Sequence, residues 1–188
     1  KKTSNDIKSE IAKEVKKITE SGNRPPHLAA VIVGSDGASL TYVGSKVKAC
    51  EKVGYQSTLI KLPDETTEDE LLNQVEEFNK NDSIDGYIVQ LPLPSHIDTQ
   101  TILMAIDPDK DVDGFHPTNF GKMSLNLPTF ISATPSGILE LLKRYKVQTE
   151  GKNTVVLGRS DIVGKPISIL MGLKTNPGNS TVTLAHSR

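Results

Sequence analysis

The chain has 188 residues, 36% of them hydrophobic, and a formal net charge of −1, values of a globular chain long enough to bury a core in one or two domains. No apolar run approaches the roughly 20 residues of a bilayer span, the Lys/Glu-rich opening lacks a signal-peptide apolar stretch, and the mixed charge shows no nucleic-acid footprint. The lone Cys50 forms no internal disulfide and has no second thiol nearby for a metal, which points to a reducing cytoplasm.

Helical spacing of Ile7, Ile11, Val15 and Ile18 predicts a helix over 5–20, with Gly22 placed to stop it. "LAAVIVG" (28–34) is a short continuous apolar run, the pattern of a strand covered on both faces. A helix follows through "ASLTYVGSKVKACEKVG", with Leu40, Val43, Val47 and Cys50 as its core face, and "STLIKL" (57–62) is the next strand. Thr67 and Glu70 form a capping box for a helix that buries Leu71, Val75 and Phe78. Strand and helix alternating over short connections imply an α/β fold with a mainly parallel sheet.

The stretch "GYIVQLPLP" (86–94) begins as a buried strand and then breaks its own pattern. Proline donates nothing to a sheet ladder, so Gln90, Pro92 and Pro94 mark the strand end. In open α/β sheets ligands bind beyond the carboxyl ends of the strands, which makes this end a pocket rim; the alternative is an ordinary turn with a solvated Gln90.

Residues 116–137 are rich in proline, glycine and asparagine with little periodicity, and read as a linker or a substrate-covering loop. Thr134 is then expected to cap a helix with Pro135 at its first position and Ile138, Leu141 and Leu142 on its apolar side. A second unit follows: an apolar strand (154–157), a glycine turn, a helix carrying Val163, Ile167 and Leu170, and a strand over 180–186. Gly158 and Gly164 suit a turn where backbone N–H groups approach a pyrophosphate, although G-x-G-x-x-G is missing and many strand-to-helix turns contain glycine. At the tip of the next strand, Ser187 and Arg188 offer donors and positive charge where a free ribose hydroxyl would call for a carboxylate, which points to NADP.

Two clusters remain. Tyr42 and Lys46, four apart on a helix, project from one side, either as a solvated surface pair or as functional groups beside the core face. "DPDKDVDG" (107–114) invites a calcium reading, but counting from Asp109 puts Phe120 where an EF-hand loop needs glutamate, so no metal is assigned. Asp113 is then either part of an acidic surface turn or a group in a substrate pocket.

"TYVGSKVKAC", "DGYIVQLPLP", "DKDVDGFHPTNFGKM", "TPSG" and "GRSDIVGKP" occur in the order and approximate spacing of the bifunctional methylene-tetrahydrofolate dehydrogenase/methenyl-tetrahydrofolate cyclohydrolases, which the chain resembles along nearly its whole length. The resemblance implies a three-layer α/β folate and catalytic domain over 1–132 and the beginning of a Rossmann-like NADP-binding domain over 133–188. It also implies that a few N-terminal residues and the later part of the cofactor domain are missing relative to the family. By this likeness Tyr42 packs against the folate and Lys46 is the essential lysine. Gln90 tunes Lys46, Leu91 and Pro92 wall the pocket, and Asp113 grips the pterin. Gly158, Arg159, Ser160, Gly164 and Pro166 match the cofactor turn, with Ser187 at the ribose phosphate. Ala133 replaces a cysteine common in relatives, a departure expected to be harmless. The implied partners are one-carbon derivatives of tetrahydrofolate and, as in many relatives, a second copy of the chain in a homodimer.

The implied activity is NADP-dependent oxidation of 5,10-methylene- to 5,10-methenyl-tetrahydrofolate, then hydrolysis to 10-formyl-tetrahydrofolate. Hydride transfer needs alignment, whereas hydrolysis needs proton transfers at neutral pH, the work of a desolvated lysine beside a neutral amide. A monofunctional dehydrogenase is the nearest alternative, disfavoured because Lys46 and Gln90 are both present; a non-enzymatic nucleotide- or folate-binding module is the other.

Overall fold

The computed structural model describes residues 2–35 and 37–187. Contacts divide the chain into two units, Lys1–Lys110 and Asp111–Arg188, each with its own parallel sheet. Residues 111–132 therefore pack with the second unit, ahead of the 132/133 boundary read from the sequence.

The first unit runs α1 (Lys2–Glu20), β1 (His27–Val33), α2 (Gly37–Val53), β2 (Gln56–Leu62), α3 (Glu68–Lys80), β3 (Gly86–Val89) and α4 (Thr99–Ala105), with strand order β2-β1-β3. The two-residue period of a strand sorts its side chains. Ala29, Val31, Val33, Tyr87 and Val89 join Leu71, Val75, Phe78 and Ile102 of α3 and α4 in one core cluster. Leu28, Ala30 and Ile88 point the other way, toward Val43, Val47 and Cys50 of α2. Helices thus cover both faces, as the continuous apolar run of β1 implies. Val15 of α1 is buried, while Ile18, expected on the same stripe, is 39% exposed. The side chain of Leu40 lies outside the described residues.

The capping box of α3 is formed as expected: Glu70 N donates to Thr67 Oγ1 at 3.2 Å and Thr67 N to Glu70 Oε2 at 2.8 Å. The Thr67 N–H holds the Glu70 carboxyl below the usual carboxylate range. At the other end Lys110 Nζ donates to the carbonyls of Phe78, Asn79 and Asn81, each at 2.9 Å, a cation at the negative end of the helix. Helix α4 escaped the sequence reading. Its seven residues are too few to show a period, and it is set by Asp98, which accepts from Thr101 N at 2.7 Å, and by the wholly buried Ile102.

The second unit contains α5 (Pro117–Ser124), α6 (Ala133–Arg144), β4 (Asn153–Leu157), α7 (Gly164–Gly172) and β5 (Thr181–Ala185). Three expectations change here. The stretch 116–137, read as a linker or loop, holds α5, started by Pro117 at its first position and by His116 Nδ1 accepting from Thr118 N at 3.1 Å. Thr134 is not the cap of α6: Ser136 N reaches Ser132 O at 3.0 Å, so the helix begins earlier and Pro135 is buried inside its first turn. Leu141 is 47% exposed instead of lying on the apolar side, while Ile138 and Leu142 are half-buried.

Candidate functional site

In the first unit the sequence candidates converge at the carboxyl end of β3. Ile88 faces α2, and two residues on Gln90 faces the same way, because side chains alternate along a strand. Gln90 N still closes the ladder on Val31 O at 2.9 Å, which fixes its backbone. On α2, Lys46 lies among Val43, Val47 and Cys50, so its stem runs over apolar surface toward the same strand end. The outcome is a contact: Lys46 Nζ donates to Gln90 Oε1 at 3.4 Å. Gln90 Nε2 turns back to its neighbour's carbonyl, Leu91 O, at 2.7 Å, which orients the amide oxygen toward the lysine.

Tyr42 completes the group. One helical turn before Lys46, it places its ring 5.0 Å from Lys46 Nζ, within cation–π range, and remains 58% exposed. An exposed aromatic face beside a half-buried amine is suited to an apolar, planar ligand. Leu91 is half-buried and Pro92 exposed just past the strand, along the rim. Beneath the lysine stem is a cavity of about 10 Å³, lined in part by Val43, Val47, Cys50 and Ile88. Burial pushes the Cys50 thiol up, the behaviour of a packing residue and not of a nucleophile.

In the second unit, Asp113 lies half-buried in a turn closed by Gly114 N on Asp111 O at 3.1 Å. Gly114 has φ +66°, and a Cβ there would stand 2.8 Å from Phe130 O, so glycine is required. The Asp111 carboxylate, 1% exposed, accepts from Phe115 N, His116 N and Asn119 Nδ2, an organising role that sequence reading missed. The shared turn with Asp113 was the available signal.

The cofactor-turn candidates also come together. Gly158 follows β4 with φ +115° and open space where a Cβ would be, and its N–H bonds Ala185 O on β5 at 2.8 Å. Gly164 begins α7 so close to the turn that a Cβ would meet Gly158 O at 2.1 Å. Ser160 Oγ accepts from Gly164 N at 3.1 Å, and Ser160 O from Lys165 N at 3.0 Å, so Ser160 ties turn to helix. Pro166 is buried in the first turn of α7, where its missing N–H costs nothing. Arg159 stands at the tip of β4 with its guanidinium 3.5 Å from His186 Nε2 at the tip of β5; His186 was not among the sequence candidates. Ser187 follows it, exposed, and Arg188 lies outside the described residues. Glycine turn, exposed cation and hydroxyl at adjacent strand tips fit a phosphate-bearing dinucleotide. A separate groove of about 450 Å³, lined by residues such as Ile138, Leu142, Val156 and Met171, includes none of these residues.

Among the described residues no helix is long and apolar enough to cross a membrane, and no group of His, Cys, Asp and Glu is arranged to hold a metal ion.

Comparison with known proteins identifies two domain families along the chain. Residues 1–113 match the family profile of the tetrahydrofolate dehydrogenase/cyclohydrolase catalytic domain, and residues 132–188 that of its NAD(P)-binding domain. The bifunctional protein FolD of Flavobacterium johnsoniae is 69% identical over 188 residues, covering 100% of this chain and 64% of the relative. That of Flavobacterium psychrophilum is 70% identical over 187 residues, with 100% and 64% covered. Among solved structures, the bifunctional FolD of Campylobacter jejuni superposes with TM-score 0.94 at 41% identity, covering 100% of this chain and 65% of that one. The Trypanosoma brucei FolD complexed with NADP cofactor and inhibitor gives TM-score 0.91 at 34% identity, with 98% and 62% covered. The chain thus spans about 64% of the length of the curated relatives it matches. With a catalytic-domain match over residues 1–113 and an NAD(P)-binding match over 132–188, the chain belongs to the tetrahydrofolate dehydrogenase/cyclohydrolase family.

Proposed function

We propose that the complete protein oxidises 5,10-methylene-tetrahydrofolate to 5,10-methenyl-tetrahydrofolate with NADP and hydrolyses that product to 10-formyl-tetrahydrofolate. The observation that carries this reading is the Lys46–Gln90 contact beside the exposed Tyr42 ring at the end of β3. Residues 1–132 then form the folate and catalytic part and 133–188 the start of the cofactor part.

Gly158, Arg159, Ser160, Gly164 and Pro166 hold the cofactor, with Ser187 and Arg188 at its ribose phosphate. Bound NADP supplies the hydride acceptor. For the oxidation the chain's residues need only align the folate: Tyr42 stacks on it, Asp113 takes its pterin, and Leu91 and Pro92 wall the pocket. Hydrolysis asks more. Water adds to a cationic amidine carbon, and the tetrahedral intermediate must lose one nitrogen, so protons have to leave the attacking oxygen and reach the departing nitrogen. Lys46 carries them. An amide oxygen accepts a hydrogen bond from an amine in either protonation state, so Gln90 holds Lys46 in place without locking it as the cation, as a carboxylate would.

The partners are one-carbon tetrahydrofolates and a second copy of the chain. A reducing cytoplasm is the setting, in keeping with the buried free thiol of Cys50. The deciding experiment follows methenyl-tetrahydrofolate absorbance with the full-length protein, supplied with methylene-tetrahydrofolate and either NADP or NAD. Transient appearance and decay of the methenyl signal with NADP is the expected result. Accumulation without enzyme-dependent decay would leave a monofunctional dehydrogenase, and no signal with either cofactor would leave a binding module.

A further inference from the structure

Asp111 is an expensive residue to bury. Its carboxylate is 1% exposed, and a charge removed from water is tolerated only when its lone pairs are answered. Here they are. Phe115 N donates to Oδ1 at 3.3 Å, and His116 N and Asn119 Nδ2 donate to Oδ2 at 2.8 and 2.9 Å. Asn119, itself 2% exposed, is held in turn by Thr129 Oγ1, which donates to Asn119 Oδ1 at 2.7 Å. With Gly114 N on Asp111 O at 3.1 Å, the backbone from 111 to 116 wraps around its own first side chain.

The far side of the turn is fixed as firmly. Gly114 lies against the backbone of residues 130–132, where an added Cβ would meet Phe130 O at 2.8 Å and Ser132 N at 2.9 Å. Asp113 is therefore strung between two immobilised neighbours, one tied by a charge-assisted network and the other by backbone contact. A plain surface turn is made at less cost by asparagine or serine at the first position, without a buried charge.

We propose that Asp111 is the positioning residue for Asp113: the buried carboxylate sets the direction in which the Asp113 side chain meets the pterin. This rests on the reading of Asp113 given above. Asp111 touches no substrate itself; it acts through the turn.

The test uses the full-length enzyme and a double-mutant cycle. Asp111→Asn keeps the shape of the side chain but puts an NH2 where Oδ1 faced the Phe115 N–H. The expected result is a rise of about tenfold in KM for methylene-tetrahydrofolate, with KM for NADP unchanged. In an Asp113→Ala background the same substitution should change the folate KM by less than about twofold, because nothing is left to aim. Thr129→Val, which removes one of the bonds that orient Asn119 without touching a charge, should give a smaller rise that also vanishes in the Asp113→Ala background, and it carries the test if Asp111→Asn does not fold. Equal effects in both backgrounds, or a matching rise in KM for NADP, would make Asp111 merely structural and overturn the proposal. If Asp113→Ala alone leaves the folate KM unchanged, the pterin reading of Asp113 fails, and the proposal with it.

Discussion

Lys46 Nζ lies 3.4 Å from Gln90 Oε1, a helix amine facing an amide one residue beyond the end of a buried strand. The pair separates the two proposed reactions. Lys46→Met keeps the stem that packs on Val43 and Cys50 and removes the amine proposed to move protons. The mutant should lose enzyme-catalysed hydrolysis of methenyl-tetrahydrofolate by at least about a hundredfold while retaining NADP reduction, so that the methenyl compound accumulates. Gln90→Asn, which withdraws the amide oxygen, should weaken hydrolysis more than oxidation. Hydrolysis by Lys46→Met at the wild-type rate, after subtracting the spontaneous reaction, would reduce Lys46 to a surface lysine.

Arg159 supplies the exposed cation at the strand tips of the second unit, beside His186. Charge-assisted bonds to a phosphate contribute about 1.5–3 kcal/mol, so Arg159→Ala should raise KM for NADP roughly ten- to a hundredfold and leave KM for NAD nearly unchanged. The wild-type preference should also shrink as salt rises. Steady-state kinetics with both cofactors at two ionic strengths measure this; equal losses for NADP and NAD would place the guanidinium away from the ribose phosphate.

Gly164 tests the cofactor turn by sterics alone. In Gly164→Ala the new methyl would stand 2.1 Å from Gly158 O and 2.9 Å from Arg159 Cα, both backbone atoms that cannot swing aside. Overpacking of this kind costs about 1–3 kcal/mol, and here the strain falls on the turn proposed to hold the cofactor. Dinucleotide binding, followed by titration calorimetry, should fall more than about tenfold. Hydrolysis of methenyl-tetrahydrofolate supplied directly should persist, since Lys46 and Gln90 belong to the first unit. Unimpaired NADP binding would show that the helix does not need its close approach.

Arg24 grips Asp85 through both carboxylate oxygens, at 2.6 and 2.9 Å, and Asp85 also accepts from His27 N at 2.8 Å. The guanidinium, helped by that N–H, holds the Asp85 carboxyl below the usual carboxylate range. A carboxyl lowered in the folded state stabilises the fold at pH above its unfolded value, about 3.9, and that contribution is lost as pH falls through the folded value. The melting temperature of wild type should therefore exceed that of Asp85→Asn at pH 7, with the gap closing below about pH 4. A gap that stayed constant into acid would mean the charge of Asp85 contributes nothing.

Much of the first unit was legible in the residue order because its signals are local. A continuous apolar run marks β1, Thr67 and Glu70 announce their own helix start three residues apart, and Gln90 with the following prolines ends β3 where a ladder must end. The spacing of Tyr42 and Lys46 alone puts them on one side of α2. The helices α4 and α5 were not legible: each is shorter than the window in which a period shows, and each depends on partners that come from elsewhere in the fold. Ile102 of α4 is stabilised by the core it enters, and α5 by Asn119 reaching the buried carboxylate of Asp111. The early start of α6 is likewise a backbone event, Ser136 N on Ser132 O, that no side-chain signal announced.

Residue types and their periods thus determined the alternation of strand and helix, the parallel sheets and the short list of chemical groups. Only the tertiary structure decided which of those groups meet. Lys46 and Gln90 are 44 residues apart, and nothing local couples them; the parallel pairing of β1 with β3 and the packing of α2 on one sheet face bring amine and amide to the same edge. Arg159 and His186 meet because β4 and β5 run in register and end together. Side-chain chemistry is written in one dimension, but a hydrogen bond is a distance in three, and the sheet register sets that distance.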